Sequence, residues 1–351
     1  MALHTSAPPL QGAMPLQGAA PLQGVMPLQG AMPLQELGAS GQQVTRLALG
    51  CMGLAGTWNP AEVGPENIRR ATDSVQAALE CGVTFFDHAD IYGGTACESV
   101  FRDALSNLGT PRESLFVATK CGIRSGFYDH SPAHIRASLE GSLQRLGMEY
   151  VDLYQLHRPD PLAHPEQTAQ VLDELVGAGK IRHVGVSNYY PRQLSALRQY
   201  LQAPIVSNQI AISLLRLDPI YEGAAGGAGS VDSAGDGVLD SCLQHRVTPL
   251  AYSPLGGGWL AGQRQVPDDH AQRQPIERIL EAARGLSQKY GGATPTQLAL
   301  AWLLAHPAQI VPLVGSNNPE HIREAAPAVH IQLQRTDWYA LWVAARGQRV
   351  P

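Results

Sequence analysis

The sequence predicts an α/β fold, a single-domain (β/α)8 TIM barrel behind a low-complexity N-terminal tail. Three observations predict it. Eight apolar runs of strand length alternate with amphipathic stretches of helix length, the pattern of a parallel sheet covered by helices. These units fill about 300 residues, the span of one such barrel. No Gly-x-Gly-x-x-Gly follows an early run, which weighs against an open dinucleotide-binding sheet.

The chain of 351 residues opens on a repeat of period six. Pro-Leu-Gln-Gly recurs at 9–12, 15–18, 21–24 and 27–30, with the variant Pro-Leu-Gln-Glu at 33–36. A proline in every unit removes backbone donors, so stacked β-helix coils are excluded. Residues 1–42 are expected to be a flexible, disordered tail and 43–351 the barrel. The strands are expected at 46–51, 83–87, 115–120, 151–157, 182–187, 205–209, 247–252 and 310–315. Helices are expected at 67–81, 97–107, 132–146, 166–178, 191–200, 237–245, 275–305 (two helices broken before Pro295) and 319–326. The Gly-rich stretch 223–237 reads as a mobile loop.

With 44% apolar and 16% charged residues, the chain has the material for a core. A net charge of -5 argues against a non-specific nucleic-acid binder, which needs a basic surface. No apolar run approaches the roughly 20 residues of a membrane span. Residues 1–45 hold no Lys or Arg, which fits neither a secretory signal nor a transit peptide. The five cysteines form no Cys-x-x-Cys pair and read as small buried hydrophobes of a reducing cytoplasm.

Barrels of this kind carry their chemistry at the C-terminal ends of the strands. The expected strands end in Asp87, Lys120, His157, Ser187 with Asn188, Gln209, Tyr252 with Ser253, and Gly315 with Ser316. Of only three lysines, Lys180 and Lys289 sit where a helix C-terminus favours a cation. Lys120 instead closes the apolar run Leu115-Phe-Val-Ala-Thr-Lys, where a partly desolvated ammonium needs a carboxylate, and Asp87 is the natural partner. Tyr92 follows Asp87 by five residues, and a neighbouring ammonium helps a phenol release its proton. His157 is placed to bond a substrate oxygen. Tyr252 is placed to stack on a flat ring, and the turns after it and after Gly315 are placed to meet an anion. A rival reading takes His88, Asp90 and His157, with Asp87, as ligands of a metal-dependent hydrolase. It ranks lower because the run 46–51 lacks the His-x-His usual in such barrels.

Together these segments resemble the aldo-keto reductase superfamily, in its branch of uncharacterised bacterial oxidoreductases. The matching stretches begin at Leu47-Ala-Leu-Gly-Cys-Met-Gly-Leu, Gly82-Val-Thr-Phe-Phe-Asp-His-Ala-Asp-Ile-Tyr-Gly and Val117-Ala-Thr-Lys-Cys-Gly. They continue with Leu143 to His157, Lys180-Ile-Arg-His-Val-Gly-Val-Ser-Asn, Asn208-Gln209 and Ala251-Tyr-Ser-Pro-Leu-Gly. The resemblance implies reduction of aldehydes or ketones to alcohols, reversibly, with NADP(H). It implies a catalytic tetrad of Asp87, Tyr92, Lys120 and His157, with Tyr92 as general acid. The implied cofactor contacts are Ser187, Asn188 and Gln209 at the carboxamide, Tyr252 at the ring, and Ser253, Leu255, Gly315, Ser316 and Asn317 at the phosphates. Glu324 would reach the adenine end. Where the family often has an arginine for the 2′-phosphate this chain has His321, a weaker phosphate partner, with Arg323 nearby, so NAD(H) stays open beside NADP(H). A small carbonyl or alcohol substrate is implied, and no metal, nucleic acid or membrane. The alternatives are an aldose dehydrogenase running the same chemistry backwards and a non-catalytic cofactor-binding regulator. Loops 122–130, 217–237 and 256–269 are expected to shape the substrate pocket.

Overall fold

The computed structural model describes residues 30–220 and 237–349. Eight parallel strands close a barrel in chain order: β3 (Ala48–Gly50), β4 (Phe85–Asp87), β5 (Phe116–Cys121), β8 (Val151–Leu156), β9 (Ile181–Ser187), β10 (Ile205–Ala211), β11 (Thr248–Tyr252) and β12 (Val311–Val314). The last strand pairs with the first through Leu313 opposite Ala48. All eight lie within the expected runs or overlap them closely. The polar ends that the sequence suggested therefore meet on one rim.

The surrounding helices start where proline is tolerated. Pro65, Pro132, Pro165, Pro191, Pro295 and Pro319 each stand at the beginning of a helix, where the missing N–H costs nothing. Ser131, Thr294 and Asn318 cap three of them through a side-chain oxygen. The expected break before Pro295 separates helices Arg273–Ser287 and Pro295–Leu304. Helix Arg335–Arg346 and the short hairpin β6 (Ile123–Arg124) and β7 (Phe127–Tyr128) were not expected from the sequence. Among the described residues no helix is long and apolar enough to cross a membrane. All five cysteines are buried and free.

The N-terminal boundary differs from the expectation. The fifth repeat unit is not tail: β1 (Leu34–Glu36) pairs antiparallel with β2 (Gln43–Thr45), so folded chain reaches back past residue 42. Burial explains the difference. Leu37 (0% exposed) and Val44 (1%) join Phe85, Phe116, Leu153, Val206 and Leu250 in the apolar cluster that fills the barrel interior. The hairpin is thus the floor of the barrel. Gly38 makes that fit possible: its φ is +57°, and a Cβ there would lie 2.4 Å from the Val206 carbonyl oxygen. The first four repeat units, apart from Gly30, and the Gly-rich stretch 223–237, apart from Gly237, lie outside the described residues. Leu37→Ala is expected to cost about 2–5 kcal/mol in urea unfolding, the range for emptying a fully buried leucine site. A change under about 0.5 kcal/mol would show that the floor does not matter to the barrel.

Candidate active site

Alternation along the strands sends every second side chain inward. The lower layer is apolar, with Phe85 and Phe116 packed edge to face at 4.7 Å. One step nearer the rim the inward positions turn polar, and they bond one another across the barrel. Asp87 is the hub. Its Oδ2 accepts from Lys120 Nζ at 2.8 Å, and its Oδ1 accepts from Gln209 Nε2 at 2.9 Å and Gln155 Nε2 at 3.3 Å. Ser207 Oγ donates to Gln155 Oε1 at 3.4 Å. Gly185 leaves the room for this: a Cβ there would stand 2.3 Å from Ser207 Oγ.

Lys120 is fully buried and spends its three protons on Asp87, on the His88 carbonyl oxygen at 2.6 Å and on Tyr92 Oη at 3.1 Å. Three donors meet three acceptors, which is how a buried ammonium stays charged. Burial is the largest single influence on Lys120 and lowers its pKa, but Asp87 and Tyr92, through charge and hydrogen bonds together, outweigh it and the net direction is up. Tyr92 is pushed up by its burial, against the downward pull of Lys120. The sequence expectation named only the pull of Lys120; burial exceeds it, and the phenol keeps its proton at neutral pH. His157 packs edge-on against the Tyr92 ring, centroids 5.8 Å apart. Burial, followed by the charges of Lys120 and Arg158, lowers His157 to about 2, so its imidazole is neutral. Its Nδ1 is buried without a hydrogen-bond partner.

A second set of bonds runs along the rim from β9 to β11. Ser187 Oγ donates to the Gln209 carbonyl oxygen at 2.9 Å, Asn188 Nδ2 donates to Ser187 Oγ at 2.8 Å, and Tyr252 Oη donates to Asn188 Oδ1 at 3.0 Å. After β11 the turn runs through Ser253, at φ +51°, and Leu255 into three glycines. After β12, Gly315 sits beside Gly50 of the first strand. There Ser316 Oγ lies 3.3 Å from His321 Nδ1, and Ser74 Oγ donates to the Asn317 carbonyl oxygen at 2.9 Å. Glu324 accepts from Gln263 Nε2 at 3.0 Å, linking helix Pro319–Ala325 to the loop after β11. Arg323 turns elsewhere: its guanidinium is held by Glu80 and Glu320, both at 2.9 Å.

The rival metal set does not assemble. His88 packs at a tilt against Phe101, centroids 4.5 Å apart, while His157 lies against Tyr92. Among the described residues no three His, Cys, Asp or Glu side chains converge on one point. Sequence reasoning missed Gln155 and Ser207. Counting back by twos from His157 puts Gln155 on the inward face, and that parity was the available signal.

A (β/α)8 barrel with a buried Lys–Asp pair touching a rim tyrosine defines a narrow class of proteins. The chain belongs to the aldo/keto reductase family, which it matches over residues 46–342, and it is an oxidoreductase of that family. It is 38% identical over 327 residues to a 6-dehydroglucose reductase of Novosphingobium aromaticivorans, covering 90% of this chain and 97% of the relative. It is 33% identical to the oxidoreductase YdhF of Escherichia coli, covering 89% and 97%. Among solved structures it resembles the thermostable aldo-keto reductase Tm1743 bound to the inhibitor epalrestat. That match has a TM-score of 0.73 and 29% identity, covering 89% of this chain and 100% of that one.

Proposed function

We propose that the protein reduces the aldehyde or ketone group of a small molecule to an alcohol, reversibly, with NADPH or NADH as hydride donor. The observation that carries this reading is the 3.1 Å bond from Lys120 Nζ to Tyr92 Oη, with Lys120 anchored on Asp87. Because Lys120 donates to the phenol oxygen, the phenol's own proton is free to point at a substrate oxygen. A nicotinamide held here would supply a hydride to the carbonyl carbon, and Tyr92 is the group placed to give its proton to the carbonyl oxygen. The phenolate left behind is stabilised by Lys120 and takes a proton back from solvent. His157, neutral over the working range of pH, orients the carbonyl by a hydrogen bond.

The residues fit a nicotinamide dinucleotide. Ser187, Asn188 and Gln209 offer the hydroxyl and amide groups that a carboxamide pairs with, and Tyr252 offers a ring. Ser253, Leu255, Gly315, Ser316 and Asn317 would hold the phosphates and Glu324 would face the adenine end. Space for close approach exists, since a Cβ built on Gly257 or Gly315 would find no atom within 4 Å. With His321 beside Ser316 and Arg323 committed to two carboxylates, the 2′-phosphate finds no uncommitted guanidinium in that helix. A titration of nicotinamide fluorescence is therefore expected to show binding of both NADPH and NADH, with Kd values within about tenfold, or 1.4 kcal/mol. No response to either would sink the reading.

The names of two relatives, 38% and 36% identical, support a sugar carbonyl as substrate, since both are 6-dehydroglucose reductases. The direct test is the rate of 6-dehydroglucose reduction against that of a simple aldehyde of similar reactivity. A kcat/KM for the sugar no higher than for the simple aldehyde would remove the sugar from this proposal and leave the chemistry standing.

A further inference from the structure

The turn that carries Tyr92 rests on a buried charged cluster that the reaction does not use. Helix Ala96–Leu108 begins just after Tyr92 and contributes Glu98, which is fully buried. Glu98 Oε1 accepts from Thr119 Oγ1 at 2.6 Å, and its Oε2 accepts from Arg145 Nε at 2.8 Å. Thr119 is the neighbour of Lys120 on β5, so this carboxylate ties the Tyr92 segment to the strand that bears the ammonium. On the other side of Tyr92 stands Asp90, 8% exposed. Its backbone N–H donates to the Lys120 carbonyl oxygen at 3.0 Å, while its Oδ1 is buried with no hydrogen-bond partner.

Four neighbouring elements present polar or ionisable groups to Asp90. Helix Ala96–Leu108 presents Glu98, helix Pro132–Leu146 presents Ser138 and Arg145, β5 presents Cys121, and β8 presents Tyr154. One partly exposed guanidinium thus serves two buried carboxyl groups. A second negative charge there lacks a counter-ion, which is costly in a low dielectric. Burial and the charge of Glu98 push Asp90 up to about 7, in agreement with that count.

We propose that Asp90 is a positioning residue: its backbone N–H ties the Tyr92 turn to Lys120 on β5, and that tie holds only while its buried, unpartnered carboxyl carries a proton. Release of that proton to solvent sets Asp90 against Glu98, and the turn relaxes away from β5. This inference rests on the reading of Tyr92 as the proton donor.

The test is the pH profile of kcat for carbonyl reduction at saturating NADPH, measured for the wild type, Asp90→Asn and Glu98→Gln. Asparagine keeps the shape of the protonated acid and cannot ionise. The wild type is expected to lose about fivefold or more in kcat as pH rises through about 7. Asp90→Asn is expected to hold the wild-type low-pH rate across that range, and Glu98→Gln to move the inflection to lower pH. Infrared difference spectra should show a carboxylic-acid carbonyl band in the wild type that bleaches over the same interval and is absent from Asp90→Asn. Superimposable profiles for the wild type and Asp90→Asn, or a wild type with no such band, would overturn the proposal. Tyr92→Phe measured alongside at low pH separates the two readings: retained activity there refutes the proton donor, whereas the infrared titration judges Asp90 regardless.

Discussion

Replacing Tyr92 by phenylalanine is expected to lower kcat for carbonyl reduction by at least about 10²-fold, the usual contribution of a positioned general acid. The fold should not change. The ring that remains still packs edge-on to His157, and Lys120 keeps two of its three acceptors, Asp87 and the His88 carbonyl oxygen. Dinucleotide affinity should also stay within a factor of a few, because the rim running through Ser187, Asn188 and Tyr252 does not touch the phenol. Steady-state kinetics together with the fluorescence titration would separate these effects. A variant with near-normal kcat would mean that the proton comes from another group, and the assignment of Tyr92 would fall.

Lys120→Met is expected to cost about 3–5 kcal/mol of stability, the range for removing one partner of a buried ion pair. Asp87, whose side chain is 3% exposed, would keep only the neutral donors Gln155 and Gln209 beside its charge. The stranded carboxylate, not the lost contact, dominates the loss. Adding Asp87→Asn removes that charge, so the double variant should recover most of the stability in urea unfolding. Its activity should remain absent, because nothing then stabilises a phenolate at position 92. If the double variant is as unstable as Lys120→Met alone, the damage lies in packing and the electrostatic account is wrong.

The barrel was legible because each strand is a short apolar run punctuated by a polar residue, and those polar residues share one end of the sheet. Lys120 stood out for a simple reason: an ammonium closing Phe-Val-Ala-Thr has nowhere to go but inward or onto a carboxylate. Contacts made by residues far apart in the chain left weaker marks. Leu37 belongs to a segment whose composition reads as linker, and only the open end of the barrel, formed by strands up to some 270 residues later, makes it a core residue. Arg323 looked like a substitute for a missing phosphate ligand. Its position two residues after His321 gave no hint that Glu80, on another helix, holds it. Nothing in the helix-length stretch 97–107 set Glu98 apart. It is buried because Arg145 and Thr119 reach it from two other elements.

The chain rises into the barrel through its floor. Met32 lies against Gly82 ahead of β4, and Gln35 bonds the Gln309 carbonyl oxygen ahead of β12, so both anchors sit where strands begin. Tyr92 and Lys120 sit where strands finish. A molecule held to a support through the floor hairpin would therefore stand with its mouth turned outward.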